Sequence, residues 1–436
     1  MEHVKREVAA FLAKHGMYHG DIHLDQTCEA FLAEMQAGLT GADSSLAMLP
    51  TYIETEREVP RNKPVVVMDA GGTNFRVATV VFPDAGEPEI SDFRVFPMPG
   101  IKEEVGKDRF FGVMAGYIAD IVNKSESIGF CFSYPIEMFP NKDGRVLYFS
   151  KEIKAPQVVG QMIGVGLNEA IASTDADARQ IVLLNDTVAT LLAGKAHASA
   201  RRFGSYIGFI LGTGTNTSYV EQNANITKVT NLDPAKAQII NVESGGFGKA
   251  PRGTADMELD AQSTGPGVNI FEKMISGAYI GALCQTTMRL ACEEGLFSKA
   301  AAEALATLNK TSTKDISEFL TEPEGNGNPL ARALTETSRE DTAALYFLAD
   351  AIVERAAKLT AANLSSAAIQ CGKGHDPARP VCIVAEGTTF YHLTSMRQKI
   401  EYYLKQHLAD DKGIHYQIAT IDNATLIGAA IAGLTN

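Results

Sequence analysis

The chain has no tryptophan among its 436 residues, no CxxC pair, and no uninterrupted apolar run of the ~18 residues needed to cross a bilayer. Without clustered cysteines, a disulfide framework and thiolate zinc modules are excluded. The six cysteines at 28, 131, 284, 292, 371 and 382 read as small buried hydrophobes in a reduced, cytoplasmic setting. Basic residues are also in deficit, since 39 Lys and Arg face 52 Asp and Glu for a formal net charge of −13. That balance argues against nucleic acid or an anionic membrane as the main partner. An anionic substrate must therefore be held locally. The opening "MEHVKREVAAFLAKHG" has charges every few residues and lacks the apolar core of a signal peptide. Its Val4, Val8, Phe11 and Leu12 fall on one helical face, expected to pack on the protein itself rather than on a membrane.

Several nucleotide motifs are missing as well. "GTGTNTS" has Thr217 followed by Ser218 where a dinucleotide fingerprint needs its third glycine, and Gly-Lys pairs such as those at 194, 248 and 372 lack the context of a Walker loop. No HRD and DFG pair marks a protein kinase. His19 and His23 beside Asp21 and Asp25 are separated by Gly20, which disfavours one helix presenting both, and Cys371, His375 and Cys382 are no better as a metal set. Any metal here should be a hard cation carried in with a nucleotide.

What is present is an α/β alternation in a chain long enough for two or three domains. Residues 1–50 read as mainly helical, and a polar, proline-bounded linker, "TEREVPRNKP", follows. β-Branched runs then appear as "VVVMD", "FRVATVVF", "DFRVF" and "IGFCF". "VVGQMIGVGLNEAI" is expected to be helical, and "IVLLND" to be a buried strand running into the helix "TVATLLAGKAHA". The same grammar restarts with the strand "YIGFIL", the turn "GTGTN" and the strand "TSYVEQ". A strand, glycine turn, strand unit thus occurs twice, near 65–82 and 206–222, and two such halves would enclose a cleft. Residues 269–370 read as helix-rich, the strand "VCIVAE" and turn "GTTF" follow, and "DNATLIGAAIAGL" reads as a capped closing helix.

"DAGGTNFRV" (69–77) carries two readings at this point. Gly-Gly between two strands is ordinary hairpin chemistry. Equally, Gly71 and Gly72 would let a phosphate approach the backbone, Thr73 and Asn74 would donate to it, and Asp69 would be left to hold a cation. Asp186 is similarly double: a carboxylate opening a helix serves as a cap or as a base.

The order of segments resolves these pairs. "LPTYIETE" before "DAGGTNFRV", then "FSYP", "SKEIKA", "LNDTVATLLAG", "LGTGTNTSYVE", "NVESGGFG", "NIFEKMISGAYIGAL" and "EGTTF" resemble, in sequence, the hexokinases of the glucokinase and yeast hexokinase type. The resemblance covers about Leu49 to Gly433. It implies an α/β, two-domain, actin-like or ribonuclease-H-like fold with an interdomain cleft. The expected division is a small domain of 64–185 plus 424–436 and a large domain of 1–63 plus 186–423.

The activity implied is transfer of the γ-phosphoryl of Mg-ATP to the 6-hydroxyl of a hexose. Glucose is the expected acceptor, and mannose and fructose are further candidates. Asp186 would be the catalytic base and Lys151 a stabiliser of the transferring phosphoryl. Ser133, Ser150, Lys151, Asn185, Asp186, Asn216, Glu243, Asn269 and Glu272 would hold the sugar. Asp69, Gly71, Gly72, Thr73, Asn74 and Arg76 would form one phosphate clamp, with Arg76 alternatively a solvent-facing strand residue. Gly212, Thr213 and Gly214 would form the second clamp, and Gly387 and Thr388 the adenosine-side turn. Asp69 would hold Mg2+ through water. The resemblance leaves monomer and homodimer open. A non-catalytic sugar-binding homologue is the alternative; it would be expected to lack Asp186 or a phosphate turn, and all are present.

Four departures from the family pattern bear on sugar preference. Ser244 stands where a tryptophan follows the sugar-binding glutamate, and "FSKE", with Phe149 and Glu152, replaces Trp-Thr-Lys-Gly. Asn269 replaces a glutamine, and Glu386-Gly387-Thr388 replaces Asp-Gly-Ser.

Overall fold

The computed structural model describes residues 1–149, 153–173, 176–197 and 202–436. Its strands are β1 (Leu49–Pro50), β2 (Pro64–Gly71), β3 (Asn74–Val81), β4 (Glu89–Pro97), β5 (Ser127–Phe132), β6 (Ile136–Met138), β7 (Gly144–Val146), β8 (Gln180–Leu184), β9 (Ser205–Leu211), β10 (Thr215–Gln222), β11 (Ala237–Asn241), β12 (Val381–Glu386) and β13 (Tyr416–Ala419). They form a five-stranded sheet in the order β4-β3-β2-β5-β8, a six-stranded sheet in the order β1-β11-β10-β9-β12-β13, and the small β6–β7 hairpin.

The repeated unit in the sequence becomes the repeated core of these sheets. In each, an antiparallel hairpin turning on glycine, β2–β3 or β9–β10, is extended by parallel strands: β5 and β8 beside β2, β12 and β13 beside β9. The parallel strands are covered on both faces, which is why Val65, Val66, Val67 and Met68 form an unbroken apolar run with no exposure. Ligands of open α/β sheets gather beyond the carboxyl ends of such strands. Here those ends carry Asp69, Ser133, Asp186, Gly212 and Glu386.

Two helices lie between the sheets and pack on each other. Asp186–His197 covers β9 and β12, and Ala424–Thr435 covers β2 and β5. Their contact is close because it is built from small residues: a Cβ on Gly428 would lie 1.8 Å from the Ala189 carbonyl oxygen. Val65, Val67, Val182, Leu184, Val188, Leu192, Leu426 and Ile431 share the resulting core.

The larger core lies under the six-stranded sheet, around the long helix Arg339–Gln370. The opening helix Glu2–Lys14 buries Val4, Val8, Phe11 and Leu12 against this helix, as its spacing predicts. Ser338 and Asp341 close a reciprocal cap at the start of the long helix. Farther along, fully buried Arg355 makes a two-pronged contact with Asp256 at 3.1 and 2.6 Å. No helix among the described residues is long and apolar enough to cross a membrane.

Two expectations are corrected. The helix expected over 158–171 begins only at Ile163. Gly160 adopts a left-handed φ of 82°, and the Asp143 carboxylate accepts the Gly164 and Val165 N–H groups at 2.6 and 3.1 Å, so the helix starts where an acid meets its first donors. Nor is the closing helix capped by Asn423, which makes no side-chain cap bond. The groups at its start serve other partners: the Thr425 hydroxyl donates to Asp69 and the Ala424 N–H to Glu386.

Candidate active site

The β2–β3 turn places Gly71, Gly72, Thr73 and Asn74 at the mouth of the five-stranded sheet, with Thr73 and Asn74 exposed. Tyr134 braces it by donating to the Gly72 carbonyl at 2.5 Å. The β9–β10 turn, Gly212-Thr213-Gly214, occupies the matching position in the six-stranded sheet, and the Gly212 N–H closes it on the Gly214 carbonyl at 2.9 Å. Gly277 N–H and Thr389 Oγ1 both donate to the Gly212 carbonyl, at 2.8 Å each, which fixes this turn to the 387–389 turn. Gly387 there has a φ of 114°, and a Cβ on it would lie 2.2 Å from the Leu211 carbonyl oxygen, so no other residue fits.

Between the turns lies a group of carboxylates. Asp69 is 1% exposed and ion-paired with Arg76; Thr425, at the start of the closing helix, donates to it at 2.9 Å. Burial pushes the Asp69 carboxyl above its ordinary pKa, and Arg76 and Thr425 oppose the shift. Glu386, closing β12, is raised to about 7 by burial, with Asp186 and Asp69 adding to the shift and Arg76 and the Ala424 N–H pulling back. Acids from both sheets therefore sit within electrostatic reach of one another. Arg76, expected on a phosphate, has its guanidinium on Asp69 and 3.3 Å from Thr425 Oγ1, and is a third exposed.

This donor set fits a hard divalent cation held through water: Asp69, Asp186 and Glu386 bring carboxylate oxygens together, and burial opposes the charge on Asp69 and Glu386, which a cation would favour. No three His, Cys, Asp or Glu side chains among the described residues are spaced to enclose a metal directly.

Asp186 opens its helix at the end of β8, its Oδ1 accepting the Thr187 N–H at 2.7 Å and the Thr187 hydroxyl at 3.2 Å. Asn185 Oδ1 accepts the same N–H at 2.9 Å. Facing them across the cleft, Glu243 follows β11 in a left-handed conformation, φ 56°. Its carboxylate accepts from Asn241 Nδ2 at 2.7 Å and Asn216 Nδ2 at 3.4 Å. Although its side chain is exposed to the open cleft, the protein packed around its carboxyl desolvates it and raises its pKa first, and Asp186 and Glu272 raise it further. Glu272 accepts the Thr215 N–H at 3.0 Å and is also raised by burial. Asp186 and Glu272 are thus both within electrostatic reach of Glu243, and Glu272 is hydrogen-bonded to Thr215 just after the second glycine turn.

Asn269 starts the Glu272 helix at a left-handed φ of 50° and is exposed. Thr213 is exposed on its turn tip, whereas Thr388, expected in a turn, is the exposed first residue of the short helix Thr388–His392, which starts directly after Gly387. Ser133 caps β5, its N–H bonded to the Ala70 carbonyl at 3.1 Å and its Oγ 3.8 Å from Cys131 Sγ. Ser150 and Lys151, and with them the expected second catalytic residue, lie outside the described residues. Sequence reasoning passed over Thr425, Asn241 and the carboxyl of Glu386 as parts of the site. Glu386 alone had a signal, as an acid preceding a glycine turn at a strand end.

Comparison with known proteins gives this cleft its family. Residues 11–196 and 206–435 match two family models, each described as Hexokinase. Hexokinase-1 of Nicotiana tabacum is 30% identical, covering 95% of this chain and 88% of the tobacco protein. Hexokinase-7 of Oryza sativa subsp. japonica is 27% identical over 94% of this chain and 92% of its own length. A solved structure of hexokinase from Schistosoma mansoni complexed with glucose shares the two-domain fold at a TM-score of 0.77 and 22% identity, covering 99% of both chains. The chain belongs to the hexokinase family, and its activity is the ATP-dependent phosphorylation of a hexose.

Proposed function

We propose that the acceptor is glucose, phosphorylated at its 6-hydroxyl in the cleft between the two sheets. The observation that carries this reading is the meeting of Asp186, Glu243 and Glu272 beside a glycine turn, with the second turn and Asp69 opposite. Acceptor-only side chains suit a polyol, since each buried hydroxyl left unpaired costs ~1–3 kcal/mol.

Asn185, Asn216, Glu243, Asn269 and Glu272 hold the sugar ring, with Ser133 on the cleft wall. Asp186 takes the proton of the 6-hydroxyl as its oxygen bonds to the γ-phosphorus and the bond from that phosphorus to the β–γ bridging oxygen breaks. The β2–β3 and β9–β10 turns present backbone N–H groups to the phosphates, and Gly387 and Thr388 border the adenosine. Asp69 would order the water shell of the Mg2+ that accompanies the nucleotide, and that ion would offset phosphate charge. Ser150 and Lys151 retain the sugar and phosphoryl contacts that the family resemblance implies. In this reading the small domain is 64–185 plus 424–436, the large domain is 1–63 plus 186–423, and the unpaired, mostly buried cysteines suit a reducing compartment such as the cytoplasm.

Coupled ADP release with Mg-ATP across glucose, mannose, fructose and a no-sugar control tests the assignment. Glucose should give the highest kcat/KM, and Asp186→Ala should lower turnover by about 10²–10⁴-fold with its melting transition kept. A higher kcat/KM for mannose or fructose overturns the choice of sugar. Unchanged turnover in Asp186→Ala overturns the base.

A further inference from the structure

The sugar-facing side of the cleft is backed by a buried polar chain that reaches the middle of the long helix Arg339–Gln370. Asn363, 2% exposed on that helix, donates from Nδ2 to Thr217 Oγ1 at 2.7 Å. The Thr217 hydroxyl lies 3.1 Å from Ser244 Oγ, and both residues are fully buried. Thr217 and Ser244 adjoin the two residues read as sugar ligands, Asn216 and Glu243. Their backbone N–H groups both point at Asn216 Oδ1, at 2.7 and 3.4 Å. The Asn216 amide is thereby oriented with Nδ2 outward, where it donates to Asn241 Oδ1 at 2.8 Å and to Glu243 at 3.4 Å.

A carboxylate in this place needs such a backing for two reasons. Glu243 is a non-glycine residue at φ 56°, a conformation that persists only when its surroundings over-determine it. Its carboxyl also lies within electrostatic reach of Asp186 and Glu272, whose charges oppose its own, so it must be aimed by donors rather than left to rotate. Asn363 supplies the donor at the far end. Its amide nitrogen can only donate, so Thr217 must accept there, and that fixes how the two hydroxyls share their protons.

We propose that Asn363 is a positioning residue for hexose binding: through Thr217 and Ser244 it sets the orientation of Asn216 and Glu243, and with it affinity for the sugar but not for the nucleotide. The proposal rests on the reading of Asn216 and Glu243 as sugar ligands. It predicts that Asn363→Ala raises the hexose KM, and the hexose Kd measured by titration calorimetry without nucleotide, by about tenfold, with kcat and the ATP KM within about twofold of wild type. Thr217→Val, which keeps the shape and loses the hydroxyl, should do the same. Thr217→Ser, which keeps the hydroxyl, should restore wild-type hexose affinity.

If Asn363→Ala does not fold, the Val and Ser pair at 217 decides alone. A hexose affinity equal to wild type in Asn363→Ala or in Thr217→Val overturns the proposal, as does a rise in ATP KM matching the rise in hexose KM. The underlying reading has its own control: Glu243→Gln should abolish calorimetric hexose binding. Binding that survives that change removes Glu243 as a ligand, whatever Asn363 does.

Discussion

At the scale of single residues, the cleft is defined by acids held where water would not leave them comfortably. Glu386 shows the consequence most directly. Burial places its carboxyl near pKa 7, above the ordinary 4.5, with Asp186 and Asp69 adding to the shift. A carboxyl raised in the folded state favours folding when protonated. Its contribution is therefore full below about pH 4.5 and is lost as pH rises through about 7. Glu386→Gln keeps an acceptor for the Ala424 N–H but cannot ionise. Wild type and variant should thus be close in stability at low pH and diverge in favour of the variant by pH 8, by at most on the order of 3 kcal/mol. Denaturant titrations of both proteins between pH 4 and 8 measure this, and parallel curves would remove the assignment.

At the scale of elements, catalytic geometry depends on how closely two helices approach. Asp186 opens one of them and Thr425, which holds Asp69, lies in the first turn of the other. Gly428 brings them together, since the Ala189 carbonyl occupies the space its Cβ would need. Gly428→Ala should therefore cost about 1–3 kcal/mol of stability and lower turnover as the two ends of the cleft separate. Gly116→Ala is the control. That glycine is exposed within the helix Lys107–Ile118 with no atom near its absent Cβ, so the change should be neutral or stabilise by up to about 1 kcal/mol. Equal effects of the two substitutions on stability would show that the contact carries nothing.

The same elements show what could be read beforehand. Both hairpins were legible because glycine punctuates two apolar runs, and Asp186 could be nominated as an acid at the end of such a run, whereas Glu243 was reached only through the family resemblance. β11 and β13 were passed over because four or five residues show no usable period. The partners of the site residues were not legible at all. Asn363 is 146 residues from Thr217, and Thr425 is 356 from Asp69, so only the folded chain brings them together.

At the scale of the whole molecule, the sugar and phosphate groups belong to two sheets whose relative position sets the gap between them. Large apolar side chains stand exposed next in sequence to residues read as sugar ligands. Leu147 is 49% and Tyr148 58% exposed just before the segment containing Ser150 and Lys151, and Val268, 60% exposed, precedes Asn269. Exposed apolar surface beside ligand-binding residues is what closure over a sugar would cover, and closure is needed because water competes with the sugar hydroxyl for the γ-phosphoryl. The absence of tryptophan makes this measurable: Tyr148→Trp introduces the chain's single indole two residues before Ser150. Its emission should shift to the blue on saturation with glucose and stay unshifted with Mg-ATP alone, because the sugar residues lie on both sides of the gap. An unshifted spectrum in a variant that still turns over would mean that this surface remains wet through the reaction. Exclusion of water would then have to come from side chains already in the cleft rather than from movement of one sheet toward the other.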